Sequence, residues 1–301
     1  MARHLAREGT TAFLPTAITS PIKHIERAHE AIAAAMNDPV EDGASIFGMH
    51  LEGPFISAKR LGAHPRIDLE PRGEPLDRTL KLRALRLLTL APEVPGGLDA
   101  IRALTARGVA VSIGHTDATL EEARAGIAAG ARMFTHLFNA MRPLNHRDPG
   151  VIAAALADSS AMAAIIPDGV HVHPDVMRLA FRARGAAGMI LTTDKILFSG
   201  MSSAEADKMR PGRARVVDGA VRLASGTLAG SIISMLDGVR VMVTQVGVTV
   251  GEAARMAATN PTELLGARDR GRIAAGAHAD LIVLSPALDL KAVFVGGRDL
   301  S

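Results

Sequence analysis

Seven short apolar runs, each closing on polar or glycine-containing sequence, are the feature of this 301-residue chain that most narrows its fold. They fall at Thr10 to Pro15, Ser45 to Glu52, Leu87 to Ala91, Val109 to Gly114, Arg132 to His136, Ala161 to Pro167 and Gly188 to Thr193. Helical spacing separates several of them. A helix is predicted from about Ile22 to Met36, another over Leu98 to Arg107, and a third over Thr119 to Ala129, whose Glu121 and Glu122 lie where the helix dipole favours negative charge. Strand then helix, repeated, specifies a parallel sheet covered by helices. Reactive side chains collect at the strand ends: Glu52, His115, His136 and Asp194 each stand just past an apolar run. In a (β/α) barrel, catalytic groups emerge from the C-terminal ends of different strands, so groups far apart in sequence converge in space. Imidazoles and a carboxylate suit a divalent metal on the barrel rim, and a further aspartate suits proton transfer.

After about residue 205 the pattern changes. Arg213 to Leu223 reads as a hairpin turning at Asp218-Gly219. Ser231 to Val246 and Val250 to Ala258 read as helices, the second followed by Asn260-Pro261, and Asp280 to Leu284 and Ala292 to Val295 as short strands among glycine turns. The expected organisation is a (β/α) barrel catalytic domain over residues 1–205, barrel-completing loops and helices over 206–270, and a small β-sandwich appendage over 271–301. Barrels of about 250 residues commonly form one unit, so one large domain with an appendage fits the length.

Composition argues against several functions. With 34 Lys and Arg against 31 Asp and Glu the formal charge is only +3, and there is no Trp, no Tyr and eight Phe, so neither a basic face nor stacking aromatics point to nucleic acid. Without cysteine there is no disulfide framework or thiolate cage, which leaves nitrogen and oxygen ligands for any metal. Met1 to Glu8 lacks the apolar core of a signal peptide, and no uninterrupted apolar run reaches the ~18 residues of a bilayer span. No membrane partner and a cytoplasmic location are expected.

Five motifs appear in order along nearly the whole chain: His50-Leu51-Glu52-Gly53-Pro54, Gly114-His115-Thr116, Thr135-His136-Leu137-Phe138-Asn139-Ala140-Met141, Asp168-Gly169-Val170-His171 and Thr193-Asp194. Each is weak alone; the ordered set is specific. Leu90-Ala91-Pro92-Glu93, Gly226 to Ser231 and Gly271 to Leu284 accompany them. On these motifs the chain resembles the N-acetylglucosamine-6-phosphate deacetylase family of the amidohydrolase superfamily. The resemblance implies a metal-dependent enzyme on a TIM-like (β/α) barrel that hydrolyses N-acetyl-D-glucosamine 6-phosphate to D-glucosamine 6-phosphate and acetate. Carried over motif by motif, it implies that Glu52, His115 and His136 hold one divalent metal ion, zinc ahead of iron, manganese or others. It implies further that Asp194 is the catalytic acid and base, that His64 helps polarise the acetyl oxygen, and that His171 orients sugar hydroxyls. Asn139, Ala140 and Arg147 correspond to the phosphate site, and a guanidinium suits bidentate contact with phosphate oxygens. In the family this arginine arrives from a neighbouring subunit, which implies a homodimer.

Two departures shape the expectations. Family members carry, ahead of the segment matching Gly9 to Pro15, most of a small β domain and the barrel's first strand, often with His-x-His. No His-x-His precedes Gly9 here, so a barrel missing its first strand, with one metal rather than two and an open parallel edge, is expected. Asp194 is followed by Lys195, Ile196 and Leu197 where relatives have small residues. Lys195 either stabilises the carboxylate and weakens it as a base, or faces the other way, as strand neighbours do. Three functions stay open: the deacetylase, another amidohydrolase acting on a different N-acyl or cyclic amide, and a non-catalytic remnant that binds sugar phosphate or metal. Met201 and Met209 are read as lid packing or substrate contact.

Overall fold

The computed structural model describes residues 1–196, 214–217 and 219–300. Leu197, Met201, Met209, Arg213 and Asp218, each given a place above, lie outside the described residues. Seven parallel strands, Thr16–Ile18, Met49–Glu52, Leu85–Leu90, Ala110–Ile113, Met133–Phe134, Met162–Ile165 and Met189–Leu191, pair in chain order into one curled sheet. Parallel neighbours need crossovers, and the helices Ile22–Asn37, Gly73–Thr79, Gly97–Ala106, Leu120–Ala129, Gly150–Ala157 and Pro174–Arg184 lie on them. The third of the predicted helices is set by its N-cap: Thr119 and Glu122 form a capping box. The architecture is the expected (β/α) barrel type, with Thr16–Ile18 and Met189–Leu191 as the two edges of the sheet.

Several boundaries differ from expectation. The run Thr10 to Pro15 is not the first barrel strand: Ala12–Phe13 pairs with Ser45–Ile46 in a separate two-stranded sheet, and the chain enters the barrel only after Pro15, which has no N–H for a ladder. Ser45 to Glu52 divides in the same way at Gly48, whose φ is +130° and where a Cβ would stand 2.1 Å from Arg86 Cγ. Leu228–Ser231 is a strand that joins Ala214–Val217 and Ala220–Leu223 in an antiparallel sheet. The helix predicted from Ser231 therefore begins at Met235, capped by Ser234 and Asp237. Asn260-Pro261 does not end the following helix either; the proline falls in the first turn of Asn260–Leu264, where its missing N–H is not needed. Leu281–Leu284, Leu290–Val295 and Arg298–Asp299 form one further antiparallel sheet.

Alternation along the barrel strands sorts their side chains. Leu51, Leu88, Leu90, Val111, Ile113, Phe134, Ile165 and Leu191 pack in one core with helix residues such as Ile25, Ile101, Leu104, Ile127 and Met177. On the opposite face Leu87, Met133, Ala164 and Ile190 form an apolar layer. Two residues further along the same strands lie Thr89 and Thr135, and with Ser112 and His50 they make a polar layer. His50 Nε2 is 2.9 Å from Thr89 Oγ1, which is 2.9 Å from Thr135 Oγ1, itself 2.5 Å from Ser112 Oγ. Burial pulls the His50 pKa down to about 4, so this imidazole is neutral. Two residues beyond His50 comes Glu52, and one beyond Thr135 comes His136: the polar layer is the floor on which the candidate site stands.

Candidate active site

Glu52, His115 and His136 leave the sheet at the ends of three different strands, and the fold gathers their polar atoms into a triangle. His115 Nε2 and His136 Nε2 each lie 3.0 Å from Glu52 Oε1 and 3.1 Å from one another, and all three residues are buried. Two imidazole nitrogens this close repel if both carry protons, whereas a cation among the three atoms resolves the conflict. Three ligands on a tetrahedral zinc ion, each about 2.0–2.2 Å from it, stand about 3.4 Å apart, so the donor set fits a divalent ion after small adjustments. His115 Nδ1 is 3.0 Å from the Arg60 carbonyl oxygen, which only accepts; Nδ1 therefore carries the proton and Nε2 turns a lone pair into the triangle. His136 Nδ1 is buried and, among the described residues, has no partner. His64 stands on the other carboxylate oxygen, its Nε2 3.8 Å from Glu52 Oε2, its ring 4.3 Å from that of His115 and its Nδ1 2.8 Å from Thr19 Oγ1. Glu52, His64 and His115 by themselves also form a group able to enclose a cation, but the tighter set includes His136.

Backbone strain is concentrated at the same place. Among the described residues six non-glycines have positive φ, and five are His115 (48°), His136 (27°), Phe138 (78°), Ala140 (48°) and Asp194 (45°). Such conformations cost roughly 1–3 kcal/mol each and persist only where the surroundings over-determine them. Cross-links between the loops do so here. Ser57 N–H donates to the His115 carbonyl, Thr116 N–H to that of Ala140, and Arg142 N–H to that of Thr116. Glu93 accepts from Thr116 Oγ1 at 2.5 Å and from Asp117 N–H at 2.6 Å, which ties the His115 loop to the end of another strand.

The electrostatics separate the two carboxylates. Burial alone would raise Glu52, but the rings of His115, His136 and His64 gathered around it outweigh burial and hold the group well below the usual carboxylate range. Asp194 goes the other way: burial, then the nearby Glu52 charge, push it up, against the opposing pull of His136, His171 and His64. Burial lowers His115 despite Glu52, while at His136 the hydrogen bond and charge of Glu52, with Asp194, overcome burial and raise it. Lys195 takes the second of its two orientations: its ammonium is paired with Glu8, and its backbone bridges to Ser231.

The remaining predicted residues are placed unevenly. His171 is held at the same rim, its side chain 4% exposed and hydrogen-bonded to Asp168. Asn139 Nδ2 donates to the carbonyls of His136 and Leu137 at 3.4 and 3.3 Å, and Ala140 accepts from Thr116 N–H. Arg147 is not drawn into the cluster: it lies on an exposed loop, and among the described residues its side chain makes no hydrogen bond or ion pair, only its backbone N–H bonding Asn145 Oδ1. Thr19, fully buried and bonded to His64, carries no signal in the sequence, because a threonine after a strand is ordinary β composition. Glu93 does carry one, a carboxylate closing an apolar strand, though its partners lie 23 and 24 residues further on.

The amidohydrolase family description matches residues 1–300 of the chain. The chain is 36% identical over 296 residues to the N-acetylglucosamine-6-phosphate deacetylase of Lysinibacillus sphaericus, an alignment covering 97% of this chain and 76% of that protein. It is also 36% identical over 302 residues to the N-acetylgalactosamine-6-phosphate deacetylase of Escherichia coli O157:H7, covering 99% and 79%. Among solved structures, a mutant N-acetyl-D-glucosamine-6-phosphate deacetylase from Mycobacterium smegmatis in complex with N-acetyl-D-glucosamine-6-phosphate matches with a TM-score of 0.89 and 34% identity, covering 98% of this chain and 79% of that one.

Proposed function

The chain belongs to the amidohydrolase family, and from that premise we propose that it hydrolyses N-acetyl-D-glucosamine 6-phosphate to D-glucosamine 6-phosphate and acetate. The observation that carries this reading is the buried triangle of Glu52, His115 and His136 with the raised carboxyl of Asp194 acting on it. Glu52, His115 and His136 would hold one divalent ion, zinc by ligand type with iron or manganese also accommodated, and when bound it supplies Lewis acidity and a water of lowered pKa. Asp194 accepts a proton from the water whose oxygen bonds the acetyl carbon. It returns that proton to the amine nitrogen as the C–N bond breaks, which leaves acetate and the free amine. A carboxyl pushed up by burial suits both halves of that task.

His64 assists by donating from Nε2 to the acetyl oxygen. That role requires the proton on Nε2, so the Thr19 hydroxyl donates to Nδ1, the shorter of the two contacts Thr19 makes. His171 orients a sugar hydroxyl, and Asn139, Ala140 and Arg147 bind the phosphate. Arg147 stands on an exposed loop, where, in a homodimer of the kind the family resemblance implies, it would reach the site of the other protomer. Among the described residues no helix is long and apolar enough to cross a membrane. A doubly charged sugar phosphate stays where it is made, which supports a cytoplasmic location.

Acetate release from three compounds tests the proposal: the gluco-configured 6-phosphate, its galacto epimer, and unphosphorylated N-acetylglucosamine, each with metal-loaded and chelator-treated protein. The expected order places the gluco 6-phosphate first and requires metal. Preference for the epimer, which the second relative's name makes a real alternative, would move the assignment at C4. No acetate from any of the three by metal-loaded protein would overturn the activity and favour a non-catalytic binder.

A further inference from the structure

Beyond the end of strand Met162–Ile165 the chain turns through Pro167, Asp168 and Gly169, with φ +75° at the glycine, before His173 caps helix Pro174–Arg184. Inside that turn Asp168 and His171 form a sealed pair: their side chains are 1% and 4% exposed. Asp168 Oδ1 accepts two backbone N–H groups, from Val170 at 2.9 Å and His171 at 2.8 Å, and Oδ2 lies 2.5 Å from His171 Nδ1. Backbone N–H groups can only donate, so Oδ1 is an acceptor whatever the pH. Burial works against the charge on Asp168, but the hydrogen bonds from the His171 ring and backbone outweigh it and keep the carboxyl ionised near neutrality. An ionised Oδ2 also only accepts, and the proton between it and the ring therefore sits on Nδ1.

We propose that Asp168 is a positioning residue for substrate recognition, holding His171 in the Nδ1–H tautomer so that Nε2 faces the pocket as a lone-pair acceptor for a sugar hydroxyl. The inference rests on the reading of His171 as a substrate contact. A charge-assisted bond to a carboxylate outweighs the small intrinsic preference between neutral tautomers, and it also fixes the plane of the ring. Among the described residues Nε2 has no hydrogen-bond partner, and the ring lies within electrostatic reach of Asp194. An acceptor there favours a ligand that donates, so a substrate lacking the matching hydroxyl loses this contact entirely.

Asp168→Asn is the test, because it preserves shape while reversing one proton. The asparagine oxygen keeps both backbone N–H bonds, and its amide can only donate to Nδ1, which forces the proton to Nε2. Long-range proton–nitrogen spectra of metal-loaded, nitrogen-15-labelled protein are expected to show His171 protonated at Nδ1 in the wild type and at Nε2 in the variant. KM for the sugar phosphate is expected to rise by about 10-fold or more while kcat, bound metal and Tm change little. In a His171→Ala background the same substitution is expected to change kcat/KM by less than about 2-fold. An Nε2–H tautomer in the wild type overturns the proposal, and so does an equal loss of kcat/KM in both backgrounds, which would make Asp168 a turn-former only. If Asp168→Asn does not fold, the wild-type spectrum decides alone. That spectrum needs no turnover, so a wrong tautomer is distinguishable from a wild-type protein that releases no acetate, which would instead refute the activity.

Discussion

Replacing Gly114 by alanine puts a methyl group where the floor of the site has no room. A Cβ at this position would stand 2.6 Å from Thr135 Cβ, 2.9 Å from Thr135 Oγ1 and 2.9 Å from Thr89 Cγ2. Carbon atoms in good contact sit at about 3.5 Å or more, so roughly 0.9 Å has to be absorbed. Nothing flexible is available to absorb it, because Thr89 and Thr135 are buried and hydrogen-bonded to each other and, through their hydroxyls, to His50 and Ser112. Overpacking of this kind costs about 1–3 kcal/mol. The larger consequence is local: Gly114 and Thr135 immediately precede His115 and His136, whose Nε2 atoms are 3.1 Å apart. Metal–ligand distances tolerate about ±0.2 Å, so even half of the required shift between these two loops spoils the set. Gly114→Ala is expected to lower Tm by a few degrees, to bind metal about 10-fold more weakly or worse, and to recover part of its hydrolysis in excess metal. The control is Gly251→Ala, on helix Val250–Ala254, where a Cβ meets nothing within 4 Å. Removing that glycine is expected to stabilise by about 0.5–1 kcal/mol and leave metal untouched. Thermal unfolding with and without metal, and metal content after dialysis against limiting zinc, measure both effects. Wild-type stability and metal content in Gly114→Ala would refute the packing and the ligand geometry together.

Asp194→Asn keeps shape and removes the proton carrier, so bound metal is expected to persist while kcat falls by about 10²–10⁴-fold; near-normal turnover in an acetate-release assay would sink the assigned role. Arg147→Ala is expected to raise KM for the 6-phosphorylated amino sugar far more than for its unphosphorylated analogue, since only the former loses a charge-assisted contact; equal effects on both would misplace the phosphate pocket. Burial holds His29 below its ordinary value of about 6.5, and its neutral Nε2 accepts the Ala84 N–H at 3.0 Å. A histidine with a depressed folded pKa contributes stability that is present above the unfolded value and lost as pH falls through it toward the folded one. Urea midpoints of the wild type are therefore expected to drop between about pH 7.5 and 5.5 more steeply than those of His29→Gln, and parallel profiles would remove His29 as the cause.

Period and punctuation in the sequence were enough to settle the parallel sheet, six of its seven strands, three of its crossover helices and the motif positions of Glu52, His115, His136 and Asp194, because each of these follows from residues within one turn or one strand; helices Gly73–Thr79, Gly150–Ala157 and Pro174–Arg184 emerged only in the structure. Thr119 and Glu122 announce their helix for the same reason: both halves of the capping box lie within four residues. Register is a different matter. Thr10 to Pro15 and Thr16–Ile18 are equally good strand sequences, and pairing with Met49–Glu52 rather than with Ser45–Ile46 is decided by the neighbouring strand. The polar floor of His50, Thr89, Ser112 and Thr135 exists only once four strands stand in register, and no single strand shows it. Lys195 beside Asp194 left two orientations open, and the choice fell to Glu8, 187 residues away in the chain. Thr19, Glu93 and Asp168 likewise act through partners that the fold brings within reach. A side chain's identity sets which bonds it can make, and only the packed sheet, by excluding water and fixing which donors and acceptors meet, selects the ones it does make.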